Sequence, residues 1–160
     1  MKNDFDSLTE AFENLTPTGV EALGAIYAPD ARFIDPFNDV RGLPEIQRIF
    51  RHMYQTLENP GFVITERIAQ DRQCFLAWEF RFCFKGFKKG QEQCILGGTH
   101  LVLNSSGHIT SHRDYWDAAG ELYEKLPVIG DRWSDALAQA QDPALNFGLR
   151  SRSRFIRNKA

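Results

Sequence analysis

Cysteine is scarce: three residues in a chain of 160. Cys74, Cys83 and Cys94 lack metal-ligand spacing and cannot all pair with one another, which excludes a disulfide scaffold and fits reduced, buried thiols. No apolar run approaches the roughly 18 residues that a membrane span requires. The first 30 residues lack a basic stretch followed by an apolar one, so the expectation is a soluble, cytoplasmic protein. Glycine-rich phosphate loops, a nucleophile elbow and a Cys-His arrangement are all missing, which leaves no signature of nucleotide binding or of serine or cysteine nucleophiles. There are no internal repeats or low-complexity stretches.

What is present is globular: 42% apolar residues, with 13 Phe, 3 Trp and 4 Tyr. That is enough to fill one core in a chain of single-domain length. Charge is uneven. Residues 144–160 carry Arg150, Arg152, Arg154, Arg157 and Lys159 without an acid, contributing +5 to a net −2 and leaving −7 for residues 1–143.

Helical spacing of Phe5, Leu8, Phe12 and Leu15 predicts a helix over 4–15. Val20, Leu23, Ile26 and Tyr27 predict a second over 18–27. Residues 31–37 read as a short strand that Pro36 confines to an edge or bulge, and 38–42 as a loop. An amphipathic helix over 43–57 follows, with Pro44 in its first turn and Ile46, Ile49, Phe50, Met53 and Leu57 on its buried face. Strands are predicted at 62–70, 73–84, 91–103 and 108–116, with a loop at 85–90. A short helix after Asp117 ends before Pro127, a further helix is predicted at 131–141, and a basic tail closes the chain. Helices first and antiparallel strands afterwards argue an α+β class. The expected domain covers residues 1–126, with a C-terminal helix and tail over 127–160.

The chemistry concentrates in Gly97–Asp117, GGTHLVLNSSGHITSHRDYWD. Two alternating arms around Asn104-Ser105-Ser106-Gly107 have the form of a β-hairpin. In the second arm His112, Asp114 and Trp116 share one face, since strand side chains alternate. An imidazole, a carboxylate and an indole on one face suit the lining of a pocket.

Two stretches resemble a known superfamily. Tyr27–Phe50, YAPDARFIDPFNDVRGLPEIQRIF, and the hairpin HLVLNSSGHITSHRDYWD are similar to the nuclear transport factor 2-like superfamily. Its members include ketosteroid isomerases, SnoaL-like polyketide cyclases and limonene epoxide hydrolase. The resemblance covers roughly residues 5–125. It implies a cone-shaped α+β fold, a curved and mostly antiparallel sheet wrapped around N-terminal helices, with an apolar cavity inside. It also implies a homodimer formed through the outer sheet face.

The resemblance nominates residues. Asp35 stands at the position of the isomerase general base; its alternative role is a strand-ending turn that binds local N–H groups. Thr99 stands where a second enolate donor is expected, but no tyrosine occupies residues 1–26, so authentic ketosteroid isomerase activity is not expected. Asp114 matches the epoxide hydrolase carboxylate in R-D-Y-aromatic-D. Alignment with the family places Glu79 and Arg81 inside, so that Glu79, Arg81 and Asp114 form either a two-carboxylate, one-guanidinium catalytic cluster or an inward salt bridge. His112 reads as a proton shuttle or as a hydrogen-bonded lining residue. His100 should face away from the cavity. Phe33, Phe37, Phe75 and Trp116 are expected cavity walls, with Thr99 a polar contact.

No metal and no cofactor is expected, because His112-x-Asp114 lacks a third ligand. The reading is a cofactor-independent isomerase, cyclase or epoxide hydrolase acting on a small hydrophobic substrate by carboxylate acid/base chemistry. The alternatives are a non-catalytic binder of a lipid or polyketide, and a structural dimer with a filled cavity. No nucleic-acid partner is expected; the basic tail is either solvated or in weak contact with an anionic membrane surface. The enzymatic reading makes a geometric demand: Asp35, Glu79, Arg81, His112 and Asp114 must line one enclosed cavity. Glu79 and Asp114 on opposite sides of the sheet would remove its basis.

Overall fold

The computed structural model describes residues 4–86 and 90–121. Helix α1 (Asp4–Glu13) buries Phe5, Leu8 and Phe12 on one side, as their spacing requires. The next segment departs from expectation: it is a 3-10 helix over Gly19–Ala25, not an α-helix reaching Tyr27. Gly19 and Gly24 weaken α-helix formation, and buried Val20 and Leu23 stand three apart, the spacing that a 3-10 turn aligns. Strand β1 (Tyr27–Ile34) therefore starts earlier than predicted, with Tyr27 as its first residue.

Asp35-Pro36 ends β1. The chain turns back into a short antiparallel strand, β2 (Asp39–Arg41), where the sequence suggests only a loop. Gly42, at φ +100°, occupies a backbone region that favours glycine and leads into helix α2 (Leu43–Thr56), which has Pro44 in its first turn. Ile46 and Phe50 of α2 are buried.

The strands β3 (Leu57–Gln70), β4 (Gln73–Phe84), β5 (Gln93–Leu103) and β6 (Ile109–Tyr115) complete one six-stranded sheet in the order β2-β1-β6-β5-β4-β3. All neighbours are antiparallel except β1 and β6, which run parallel. β3 begins at Leu57 rather than Phe62, and register shifts at Glu58/Gly61 and Ile64/Glu66 bend it. The curved sheet wraps α1 and α2, giving the α+β, cone-like architecture.

Alternation assigns the faces. In β4, Cys74, Leu76, Trp78 and Phe82 are buried on the concave side, where Ile95, Thr99, Leu101 and Leu103 of β5 join them. The convex side exposes Val63, Ile68, Phe75, Leu96 and Tyr115. Cys74, Cys83 and Cys94 form no disulfide. Helix α3 (Ala118–Glu121) is the start of the helix expected after Asp117. The rest of that helix, the predicted helix at 131–141 and the basic tail lie outside the described residues. Among the described residues no helix is long and apolar enough to cross a membrane.

Candidate functional site

A line of hydrogen bonds crosses the concave face from β4 to β1. Trp78 Nε1–H donates to Thr99 Oγ1 at 2.8 Å, and the Thr99 hydroxyl bonds Asp114 Oδ1 at 2.5 Å. The same Oδ1 lies 2.8 Å from His112 Nε2, while His112 Nδ1 lies 2.6 Å from the Tyr27 hydroxyl. Register explains the line: Thr99 pairs with Asp114, Leu101 with His112, and Phe33 of β1 with His112 across the parallel join. Trp78 reaches Thr99 because its ring lies over Gly97, where an added Cβ would come within 2.3 Å of the indole.

The imidazole is enclosed in aromatic rings. Phe33 is tilted against it at 4.6 Å between centroids, Phe12 meets it edge-on at 5.6 Å, and Tyr27 stacks at 5.9 Å. The His112 side chain is 5% exposed and that of Asp114 15%. Oδ1 of Asp114 takes both hydrogen bonds, and Oδ2 has no partner among the described residues. Burial, and secondly the negative charge of Asp114, hold the Tyr27 phenol well above its ordinary 10.0.

Asp114 is where this line meets solvent. An open cleft of about 440 Å³ lies at the ends of β1 and β6, lined by Ile34, Asp35, Pro36 and Arg113–Asp117. Phe37 stands edge-on to Trp116 at 5.4 Å. Asp35 faces two ways. Its Oδ1 accepts the N–H groups of Phe37 and Asn38 at 2.7 and 2.6 Å, and the Asn38 amide reaches both oxygens, so the turn role is real. Burial nevertheless raises the Asp35 carboxyl above its ordinary 3.8; the Asn38 and Phe37 hydrogen bonds oppose that rise, and the charge of Asp114 adds to it.

The structure thus brings Asp35, Asp114 and Trp116 to one cleft, with Phe37 against Trp116 and His112 and Thr99 behind Asp114. It does not bring Glu79 and Arg81 there. Arg81 pairs with Glu79 at 2.7 Å and lies 3.6 Å from Glu92, on the convex side. Trp78 and Phe82 fill the core from β4, so the intervening odd residues must face out, and burying two charges would cost more than leaving them in water. The cluster of Glu79, Arg81 and Asp114 is therefore excluded, and with it the guanidinium-bridged epoxide hydrolase arrangement.

Phe75, expected as a cavity wall, follows the same alternation: it is 41% exposed, beside Tyr115 on the convex face. Phe33 is core packing around His112, and Phe37 is an exposed rim residue. Around His112 the described residues form a packed core cluster, and an open cleft lies at the ends of β1 and β6. Thr99 is no free enolate donor, since its hydroxyl is committed to Asp114. His112, with both nitrogens bonded inside the core, does not reach the cleft as a shuttle. His100 faces outward and bonds Gln73, as alternation predicts. Among the described residues no group of three His, Cys, Asp or Glu could hold a metal ion.

Two residues of the line escape a sequence reading. Tyr27 looks like the end of a helical stripe, and the alternation of Ala31 and Phe33 does not reach it, because exposed Pro29 and the register shift before Arg32 interrupt it. Trp78 looks like plain core, and only its pairing with Gly97 brings its N–H to Thr99.

A family model described as SnoaL-like domain matches residues 8–112, from α1 through His112. No curated protein matches the chain. Among solved structures, it is similar to a hypothetical protein with a ketosteroid isomerase-like fold from Catenulispora acidiphila, in complex with trimethylamine. That match has 20% identity and a TM-score of 0.65, over 79% of this chain and 95% of that one. It is also similar to a putative SnoaL-like polyketide cyclase from Jannaschia sp. CCS1, at 14% identity and a TM-score of 0.63, over 78% and 93% of the two chains. A third is an LEH-like epoxide hydrolase of M. tuberculosis, at 15% identity and a TM-score of 0.59, over 76% and 84%. At these identities the likeness is one of fold. The chain belongs to the SnoaL-like domain family, within the nuclear transport factor 2-like superfamily.

Proposed function

We propose, on the pair Asp35 and Asp114 alone, since the five-residue cavity demanded above fails with Glu79 and Arg81 on the opposite side of the sheet, that the protein is a cofactor-independent acid/base catalyst of the isomerase or cyclase type, acting on a small, largely apolar carbon acid bound in the cleft. Asp114 is the base. One observation carries this reading: Oδ1 is held by Thr99 and His112, while Oδ2 is left for a molecule in the cleft. Asp35 is the partner acid, its carboxyl raised above the ordinary 3.8 by burial and the charge of Asp114 against the opposing Asn38 and Phe37 hydrogen bonds. Trp116 and Phe37 supply the apolar contact surface.

The test is deuterium uptake from D2O into a panel of cyclic ketones and β-keto esters, followed by proton NMR. Positioned acid/base groups are worth about 10²–10⁴ in rate. The wild type should speed exchange of at least one compound, and Asp114→Asn should lose about 100-fold or more. Equal exchange by the variant overturns the role of Asp114. Inert wild type that carries a stoichiometric apolar ligand in native mass spectrometry establishes the binding-protein alternative instead.

The proposal extends to a homodimer. Exposed Val63, Ile68, Phe75, Leu96 and Tyr115 share the convex sheet face, a concentration of apolar surface that favours cover by a second copy.

A further inference from the structure

We propose that Tyr27 is a positioning residue for the cleft: its buried hydroxyl fixes His112 as the neutral Nε2–H tautomer, which keeps Asp114 Oδ1 occupied and leaves Oδ2 as the only oxygen that can exchange a proton. The consequence for catalysis rests on the reading of Asp114 as the base, whereas the tautomer itself is measured without any substrate.

The argument is a count of hydrogens. At one end of the line, Trp78 Nε1–H can only donate, so Thr99 Oγ1 accepts there. The single hydroxyl hydrogen of Thr99 is then committed to Asp114 Oδ1. At the other end, Tyr27 is 1% exposed, and its hydroxyl has no hydrogen-bond partner besides His112 among the described residues.

Were Nδ1 protonated, the phenol oxygen would accept that hydrogen, and the phenol's own hydrogen would be buried without an acceptor. The arrangement that satisfies every group has the phenol donating to a bare Nδ1. The ring hydrogen then sits on Nε2 and points to Asp114 Oδ1. Hydrogens thus run inward from both ends and meet at one oxygen.

Two things follow. No proton reaches Asp114 from the core side, because both neighbours already donate to Oδ1; a proton that Asp114 takes up resides on Oδ2, in the cleft. A hydrogen on Nδ1 would also have to displace the Tyr27 hydroxyl hydrogen within a shell of Phe12, Phe33 and Tyr27. The charged groups at this unit among the described residues include Asp114 itself and, lining the same cleft, Asp35, Arg113 and Asp117; Phe12 and Phe33 against the ring are apolar.

The test is ring-nitrogen NMR at pH 7 on protein labelled with 15N-histidine, with His112→Gln assigning the signal among the four histidines. Wild type should show His112 as a single neutral form with a bare Nδ1. Tyr27→Phe should lose that single-tautomer pattern, the balance shifting at least about fivefold, the worth of one net hydrogen bond. Trp78→Phe, which breaks the opposite end, should leave it in place, a contrast that general loosening of the core would not produce. The proposal is overturned if wild-type His112 carries its hydrogen on Nδ1 or is doubly protonated, a result that stands even if Tyr27→Phe does not fold. An unchanged tautomer in folded Tyr27→Phe overturns it equally. The stated tautomer without deuterium exchange removes the catalytic reading and leaves the Tyr27 assignment standing.

Discussion

Thr99 offers a clean separation of shape from hydrogen bonding. Its side chain is 4% exposed, and its hydroxyl joins buried Trp78 Nε1–H to Asp114 Oδ1. Thr99→Val keeps the volume but leaves the indole N–H without an acceptor, which costs about 1–3 kcal/mol. It also removes one charge-assisted hydrogen bond, worth about 1.5–3 kcal/mol in burial but discounted here because Asp114 borders the open cleft. A net loss of about 2–4 kcal/mol follows. Thr99→Ser keeps the hydroxyl and deletes one methyl, a loss of about 1 kcal/mol. Packing alone orders the variants the other way, with valine nearly neutral and serine worse. Urea unfolding followed by tryptophan fluorescence decides between them. With an m value of about 2 kcal/mol per M, the valine midpoint should fall by about 1–2 M and the serine midpoint by about 0.5 M. A valine variant within about 0.5 kcal/mol of wild type, or a serine variant less stable than valine, refutes the argument that this line of hydrogen bonds stabilises the concave face.

Gly97→Ala should lose about 1–3 kcal/mol by overpacking, because its Cβ would meet three indole carbons within 2.7 Å and Trp78 cannot withdraw without releasing Thr99; scanning calorimetry would register a lower Tm, and an unchanged Tm contradicts the wedge. Asp35 sets a pH dependence. Its folded-state pKa lies above the ordinary 3.8, so the folded chain holds that proton more tightly, and the contribution is full at low pH and lost as pH rises through the interval above 3.8. The urea midpoint of wild type relative to Asp35→Asn should therefore decline from pH 4 to 7; a relative gain contradicts the sign. Leu96→Glu, at a site 57% exposed on the convex face, should convert the proposed dimer to monomer in light scattering, and an unaltered dimer mass places the interface elsewhere.

Much of this was legible in the sequence, and the failures share a cause. The hairpin 97–117 shows its inward face directly, because period-two alternation survives without knowledge of the neighbours. Strand β4 carries an equally clear signal: Leu76, Trp78, Phe80, Phe82 and Phe84 on even positions announce the core side. Alignment with the family reverses that phase to bring Glu79 and Arg81 inside, and alternation proves the better guide. The start of β1 fails for a different reason. Ala28-Pro29-Asp30 punctuates like a helix end, while the bulge between Tyr27 and Arg32 that lets the strand continue through it is a property of the pairing with β6. Tyr27 and His112, 85 residues apart, meet only through that pairing.

The same parallel pairing explains how Asp35 and Asp114, two of the three acids that line the cleft with Asp117, come together. Ile34 is opposite Arg113, so one further step along the register sets Asp35 beside Asp114. Burial and the charge of Asp114 raise the proton affinity of Asp35, a liability once it ionises, and the turn alone does not require an acid: asparagine accepts backbone N–H groups at such a position as readily as aspartate. Asp114 likewise lines solvent, while the stabilising donors attach to only one of its oxygens. A core built solely for stability would place amides or apolar groups at both positions. Instead the fold holds one acid whose proton affinity burial raises next to another whose Oδ2 has no hydrogen-bond partner among the described residues, at a rim bordered by Trp116. On the proposed acid/base reading, that arrangement serves a molecule in the cleft that takes a proton from one acid and yields one to the other.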